Sequence, residues 1–325
     1  MDFGDRGTTR REYLLGVAAG AGLAGCTGDG GNADSPTPVR ESPAPDSPLE
    51  ARYGVGKREA VYRETEDGSL IVEAALPDGE GLFPTLVHVH GGAWQYGSPG
   101  YGGMELLAQA GMAVVSVEYR LGEAATFPGQ VRDVTAAMKW VRANEPGGNL
   151  DADRVALTGD SAGAHLAALV AAAPDHGNFQ PEGFDVEASA APDALIPHYG
   201  IFDLRREGVC EGESDDDAMR ALFGPECSTA EQREASPVTH LSGDHPPVLL
   251  FHGSADSLVP VASSREYRDA LVDAGVPVEY QELDGVEHGY LEPENPDQER
   301  VLRETHERMV NYLFEEPWSD DGSGD

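Results

Sequence analysis

Lysine is nearly absent from this sequence. Positions 57 and 139 hold the only lysines in 325 residues, against 58 aspartates and glutamates, and the formal net charge is −36 at pH 7. A chain so poor in cations offers no basic face to a phosphate backbone, which excludes nucleic acid as a partner. The hydrophobic fraction is still 40%, enough for a globular core, so the charge belongs on the surface. Surface charge of one sign repels itself unless it is screened. Because the Debye length falls to about 3 Å in molar salt, where that repulsion is screened, the composition resembles that of salt-adapted proteins, a simply acidic and highly soluble protein being the alternative. Metal-ligating clusters are missing as well: no histidines and cysteines share metal spacing, and no glycine-rich loop has the dinucleotide or phosphate-binding pattern, so neither metal nor cofactor is expected. No internal repeat is present.

A membrane-spanning run is also lacking. The apolar stretch 14–24 is broken by glycine and falls short of the roughly 20 residues a bilayer requires. It follows Thr9-Arg10-Arg11-Glu12-Tyr13, and adjacent arginines before a short apolar run resemble a twin-arginine export signal. Leu23-Ala24-Gly25-Cys26 then resembles a lipobox. The expectation is a signal over 1–26, lipid on Cys26, and a protein held to the cell membrane outside the cytoplasm. Residues 27–50 carry prolines at 36, 38, 43, 45 and 48 among Gly, Ser and Asp. They read as a disordered linker, too polar to bury what ordering costs. If Cys26 carries lipid, Cys210 and Cys227 are left and can pair. On the chain-entropy model a bridge over that loop contributes about 3 kcal/mol. Residues 317–325 form an acidic tail, and nothing in the sequence sets an oligomeric state.

Residues 51–316 read as one domain. Alternating polar and apolar residues at 58–64 and 69–75 predict paired antiparallel strands. Runs rich in β-branched residues at 85–89, 113–119, 155–158, 194–199, 247–251 and 278–283 predict further strands. Helical periodicity lies between several of them, at 104–110, 129–144, 162–173, 262–274 and 297–314. Strand and helix in alternation predict an α/β fold with a mostly parallel central sheet covered on both faces. Residues 203–244 break the rhythm and are the place for a small lid. The acidic run 211–217 lacks the spacing of a calcium loop.

The chemistry centres on Gly159-Asp160-Ser161-Ala162-Gly163, where a strand gives way to an Ala/Leu-rich helix. A serine in such a turn is lifted above the sheet, and its two flanking glycines relieve the crowding. The Ala162 amide, at a helix N-terminus, can meet developing negative charge. The strand at 85–89 runs into His90-Gly91-Gly92-Ala93-Trp94, whose glycines leave backbone amides unobstructed. Gly91, Gly92 and Ala162 are therefore the expected oxyanion-hole donors, with His90 structural and Trp94 and Asp160 at the substrate pocket. A serine needs an imidazole base and an acid to orient it. Asp256 and His288 each stand just past a predicted strand, where open α/β sheets place their sites. His165, His198 and His252 read as packing histidines, and Glu287 is awkwardly placed to replace Asp256.

Together these four segments, in the order serine, aspartate, histidine, resemble the carboxylesterase branch of the α/β-hydrolase superfamily, in its hormone-sensitive-lipase-like and feruloyl-esterase-like groups. The resemblance covers about residues 51–316. It implies the α/β-hydrolase fold and a serine esterase acting on a small-molecule ester through an acyl-enzyme, with Ser161, Asp256 and His288 as the triad. One departure is Ala164, where many feruloyl-esterase-like relatives carry glycine. The His-Gly-Gly-x-Trp pattern also resembles arylformamidases, so an amide hydrolase is the alternative, and a non-catalytic binding module of the same fold is another.

Overall fold

The computed structural model describes residues 48–143, 148–205, 217–225 and 227–315. Eight strands form one sheet in the order β1-β2-β4-β3-β5-β6-β7-β8. The first two, β1 (Val55–Thr65) and β2 (Gly68–Pro77), are the alternating segments, paired antiparallel. Gly68 closes their turn at φ 130°, a backbone angle that glycine tolerates without strain. The inner strands are β3 (Phe83–Val89), β4 (Ala113–Val117), β5 (Leu150–Asp160), β6 (Ala194–His198) and β7 (Val248–Gly253), with β8 (Val278–Leu283) at the far edge. From β4 through β3 to β8 every pairing is parallel, whereas β2 meets β4 antiparallel.

Near-continuous burial of β3, β4, β6 and β7 follows from cover on both faces. Successive side chains of a strand enter different cores. Val87, Val89, Leu157 and Leu195 pack with α2 (Gly129–Arg142) and α3 (Ala162–Ala172), while Leu86, Val114, Ala156 and Ile196 pack with α1 (Met104–Gln109). The second core also takes Val301, Leu302, Met309, Val310 and Leu313 from the final helix, Pro296–Glu315. Among the described residues, no helix is long and apolar enough to cross a membrane.

The structure departs from the sequence reading at several element ends and in the 203–244 insertion. First, β5 starts at Leu150 rather than 155, because Leu150 and Asp151 pair with Phe83 and Pro84 ahead of a register shift. Second, α2 ends at Arg142, and residue 144 lies outside the described residues. Third, the 203–244 insertion carries two short helices, α4 (Asp217–Phe223) and α5 (Thr229–Glu234). A capping box of Ser228 and Glu231 starts α5. The Phe127 amide donates to the Leu222 carbonyl at 2.6 Å, which ties α4 to the approach of α2. The helix Ala262–Asp273 is α6, and Pro296–Glu315 is α7. The expected signal with Cys26, the linker up to residue 47, Cys210 and the acidic tail all lie outside the described residues. Cys227 is disulfide-bonded.

Candidate active site

Ser161 sits between β5 and α3 at φ 52°, ψ −116°, a left-handed conformation that costs a non-glycine residue on the order of 1–3 kcal/mol. Its surroundings explain how the strain is held. A Cβ on Gly159 would stand 2.6 Å from the Gly163 carbonyl carbon, and one on Gly163 would overlap the Val89 carbonyl oxygen. The Ser161 amide donates to the His198 carbonyl at 3.0 Å, fixing the turn to β6. Ala164 fits because residue 200 is glycine: a Cβ there would lie 2.9 Å from the Ala164 methyl.

The hydroxyl of Ser161 lies 3.0 Å from His288 Nε2, and His288 Nδ1 lies 2.7 Å from Asp256 Oδ2. The carboxylate fixes the tautomer: Nδ1–H donates to it, and bare Nε2 accepts the serine proton. Asp256 Oδ1 accepts the amides of Leu258 at 2.9 Å and Val259 at 2.8 Å, and the side chain is fully out of solvent. Burial alone would push this carboxyl up. Hydrogen bonds from His252, His288 and the Val259 amide reverse that and hold it well below the usual range. Glu287 is committed elsewhere, accepting the amide of Ser257 at 3.1 Å and its hydroxyl at 3.0 Å.

Gly91 and Trp94 do not take the places expected of them. Gly91 is not an available oxyanion donor, because its N–H already donates to Asp160 Oδ1 at 3.1 Å. Trp94 does not wall the pocket. It is 1% exposed and packs edge-on against His165, 5.2 Å between ring centroids. Asp160 does line the cavity over Ser161, with its carboxylate tied to His88 Nε2 at 3.1 Å as well as to Gly91. His90 is structural, as expected: its ring donates to the Gly91 carbonyl at 2.7 Å and stacks on Tyr119, and burial lowers its pKa to about 4, keeping it neutral. Gly92 and Ala93 follow at φ 106° and 52°. Both line the cavity, and among the described residues their amides meet no hydrogen-bond acceptor. Ala162, in the first turn of α3, likewise leaves its amide free.

The cavity holds about 320 Å³ and is bounded by Tyr96, Tyr199, Leu258 and Glu292 besides the groups named above. Sequence reasoning missed these four, which sit in loops without a motif. Tyr96 and Leu258 are 65% and 69% exposed at its rim, and the Tyr199 ring meets His288 edge-on at 4.6 Å. None of the described residues of α4 or α5 reaches the cavity lining. His165 and His198 are packing residues: His165 Nε2 donates to the Ala235 carbonyl at 2.7 Å, and His198 Nδ1 lies 2.9 Å from the Tyr290 hydroxyl. His252 departs from its packing expectation, since it touches Asp256. Chemically, the arrangement can activate a hydroxyl, receive its proton and meet an oxyanion with backbone amides.

The family model described as BD-FAE matches residues 74–271. A probable carboxylic ester hydrolase, LipM, from Mycobacterium tuberculosis (strain ATCC 25618 / H37Rv) is 34% identical over 295 residues, 84% of this chain and 63% of its own length. The chain thus spans less than two thirds of that relative. Among solved structures, Thermogutta terrifontis esterase 2 phosphonylated by sarin superposes with a TM-score of 0.69 at 26% identity, covering 80% of this chain and 96% of its own. The butyrate-bound form of that esterase gives 0.67 at 28% identity, over 80% and 95%. The fold is that of the α/β-hydrolases.

Proposed function

The chain belongs to the BD-FAE family of α/β-hydrolases, and from that premise we propose that it is a serine esterase working through an acyl-enzyme. The observation that carries this is the hydrogen-bonded line Ser161–His288–Asp256, at 3.0 and 2.7 Å. Ser161 Oγ attacks the ester carbonyl as His288 Nε2 takes its proton, and Asp256 stabilises the imidazolium that results. The carbonyl oxygen becomes an oxyanion facing the Gly92, Ala93 and Ala162 amides. Each such donor is worth on the order of 3 kcal/mol in the transition state. Collapse breaks the bond to the alcohol oxygen, which leaves with the proton from His288. Water, deprotonated by the same imidazole, then attacks the acyl-enzyme and releases the acid and free Ser161.

The cavity argues for small, uncharged esters. Its volume is about 320 Å³, its apolar contacts are Tyr96, Tyr199 and Leu258, and the charged lining residues beside His288 are the acids Asp160 and Glu292. A butyrate-bound relative supports a short acyl chain. The test is turnover of p-nitrophenyl acetate, butyrate and laurate beside N-formylkynurenine, with labelling by a fluorophosphonate probe. Turnover of the short esters and a probe adduct on Ser161 are expected. Hydrolysis of the formamide alone would overturn the ester reading, and equal labelling of wild type and Ser161→Ala would remove Ser161 as nucleophile. We also propose that Cys26 carries the lipid that tethers the enzyme outside the cytoplasm. Cys26→Ser should move the protein from the membrane fraction to the soluble one in an exporting host.

A further inference from the structure

We infer that His252 is a positioning residue for this reaction, acting through Asp256 in concert with Ser264. The inference rests on Ser161 being the nucleophile, as proposed above. His252 ends β7 and is fully buried. Its Nε2 lies 3.2 Å from Asp256 Oδ2 and 3.0 Å from the Val259 carbonyl oxygen. Both neighbours accept hydrogen bonds, so Nε2 carries the proton and is shared between them. Nδ1, 2.7 Å from Ser264 Oγ on α6, accepts the serine hydroxyl. The tautomer of His252 is thereby set by the two acceptors at Nε2, with the Ser264 hydroxyl as the donor that completes Nδ1.

The consequence falls on the carboxylate. Oδ2 receives two imidazole N–H donors, from His288 and His252, while Oδ1 receives the amides of Leu258 and Val259. All of the donors except His288 belong to residues 252–259, so Asp256 is clamped by its own loop and has one free direction, toward the base. From β8, Glu282 stands opposite His252 in register, but its carboxylate is already bound by Arg265 at 2.8 and 2.6 Å and by the Tyr280 hydroxyl at 2.9 Å. Arg265 and Tyr280 are thus engaged with Glu282. Without the His252 donor, the carboxylate regains rotational freedom and basicity. A more basic Asp256 stabilises the His288 imidazolium, so the acidic limb of kcat/KM moves to higher pH.

The experiment compares His252→Phe, His252→Gln and Ser264→Ala in the full chain. His252→Phe is expected to lower kcat on p-nitrophenyl acetate about 10- to 100-fold, as loss of an orienting partner does elsewhere, with KM within about twofold. The acidic limb should shift upward. His252→Gln, which keeps an N–H donor, should recover at least part of the loss. Ser264→Ala should change the limb in the same direction by less, and it guards against a His252→Phe variant that does not fold. Circular dichroism and melting temperature check each variant. Folded variants whose kcat and limb match wild type overturn the inference, as does a Gln variant no better than Phe. If wild-type Ser161 takes no fluorophosphonate, the esterase reading itself fails, and the role of His252 falls with it.

Discussion

At Ser161 a strained backbone leads through the His288 imidazole to a saturated carboxylate, each link within hydrogen-bond reach. Ser161→Ala should cost at least about 10⁴-fold in kcat while the protein stays folded, because residual turnover then rests on binding and the amide donors alone. Asp160→Ala tests the neighbouring loop. It removes the acceptor of both the Gly91 amide and His88 Nε2, which frees the turn that presents Gly92 and Ala93. A fall of about 10- to 100-fold in kcat on p-nitrophenyl acetate is expected, with a smaller change in KM. The three residues proposed as nucleophile, base and acid could be picked out of the sequence because each lies in a short motif just past a β-rich run. The amide inventory was not, since the commitment of Gly91 to Asp160 spans 69 positions in sequence. Nor was the part played by His252, whose bond to Asp256 depends on how the loop after β7 folds back. Trp94 misled for the opposite reason: its motif is local, but its ring turns inward to His165.

Among the elements, β3, β5 and α3 set the tolerance of the site. Gly163 lets the first turn of α3 press on the end of β3, where a Cβ would overlap the carbonyl oxygens of Val89 and His90. Gly163→Ala should therefore lower the melting temperature by at least about 5 °C, since overpacking of this kind costs a few kcal/mol. Differential scanning fluorimetry reads this directly. The eight strands and the larger helices could be read from the sequence because β-branched runs and 3.6-residue periodicity are dense there. The short helices of the 203–244 region could not, since Thr229–Glu234 has Ala230 as its one apolar residue and shows no amphipathic period. The early start of β5 was hidden for another reason: Asp151-Ala152-Asp153 reads as turn, yet Asp151 is buried by its ion pair with Arg154 at 2.7 Å.

Across the whole molecule, buried histidines and surface carboxylates respond to solvent in different ways. Burial lowers the pKa of His90, His165 and His306 from the usual 6.5 to about 4. Between those values the unfolded chain binds protons that the folded one refuses, so stability is complete above about pH 6.5 and declines as pH falls toward 4. Each group contributes on the order of 3 kcal/mol over that window. The urea midpoint should fall steadily from pH 7 to 4.5; an unchanged midpoint would mean these rings are solvated. At constant pH 7, with a net charge of −36, the midpoint should rise with added salt as repulsion is screened.

The pairing of Lys57 with Glu105 has a practical consequence. Only Lys57 and Lys139 carry side-chain amines, and Lys57 lines a cleft that shares Gly100 with the chamber over Ser161. A dye attached there would sit next door to the chemistry and could report arriving substrate by its emission. The bond to Glu105 raises the pKa of that amine, so succinimidyl reagents will take it slowly until the coupling buffer is made strongly alkaline.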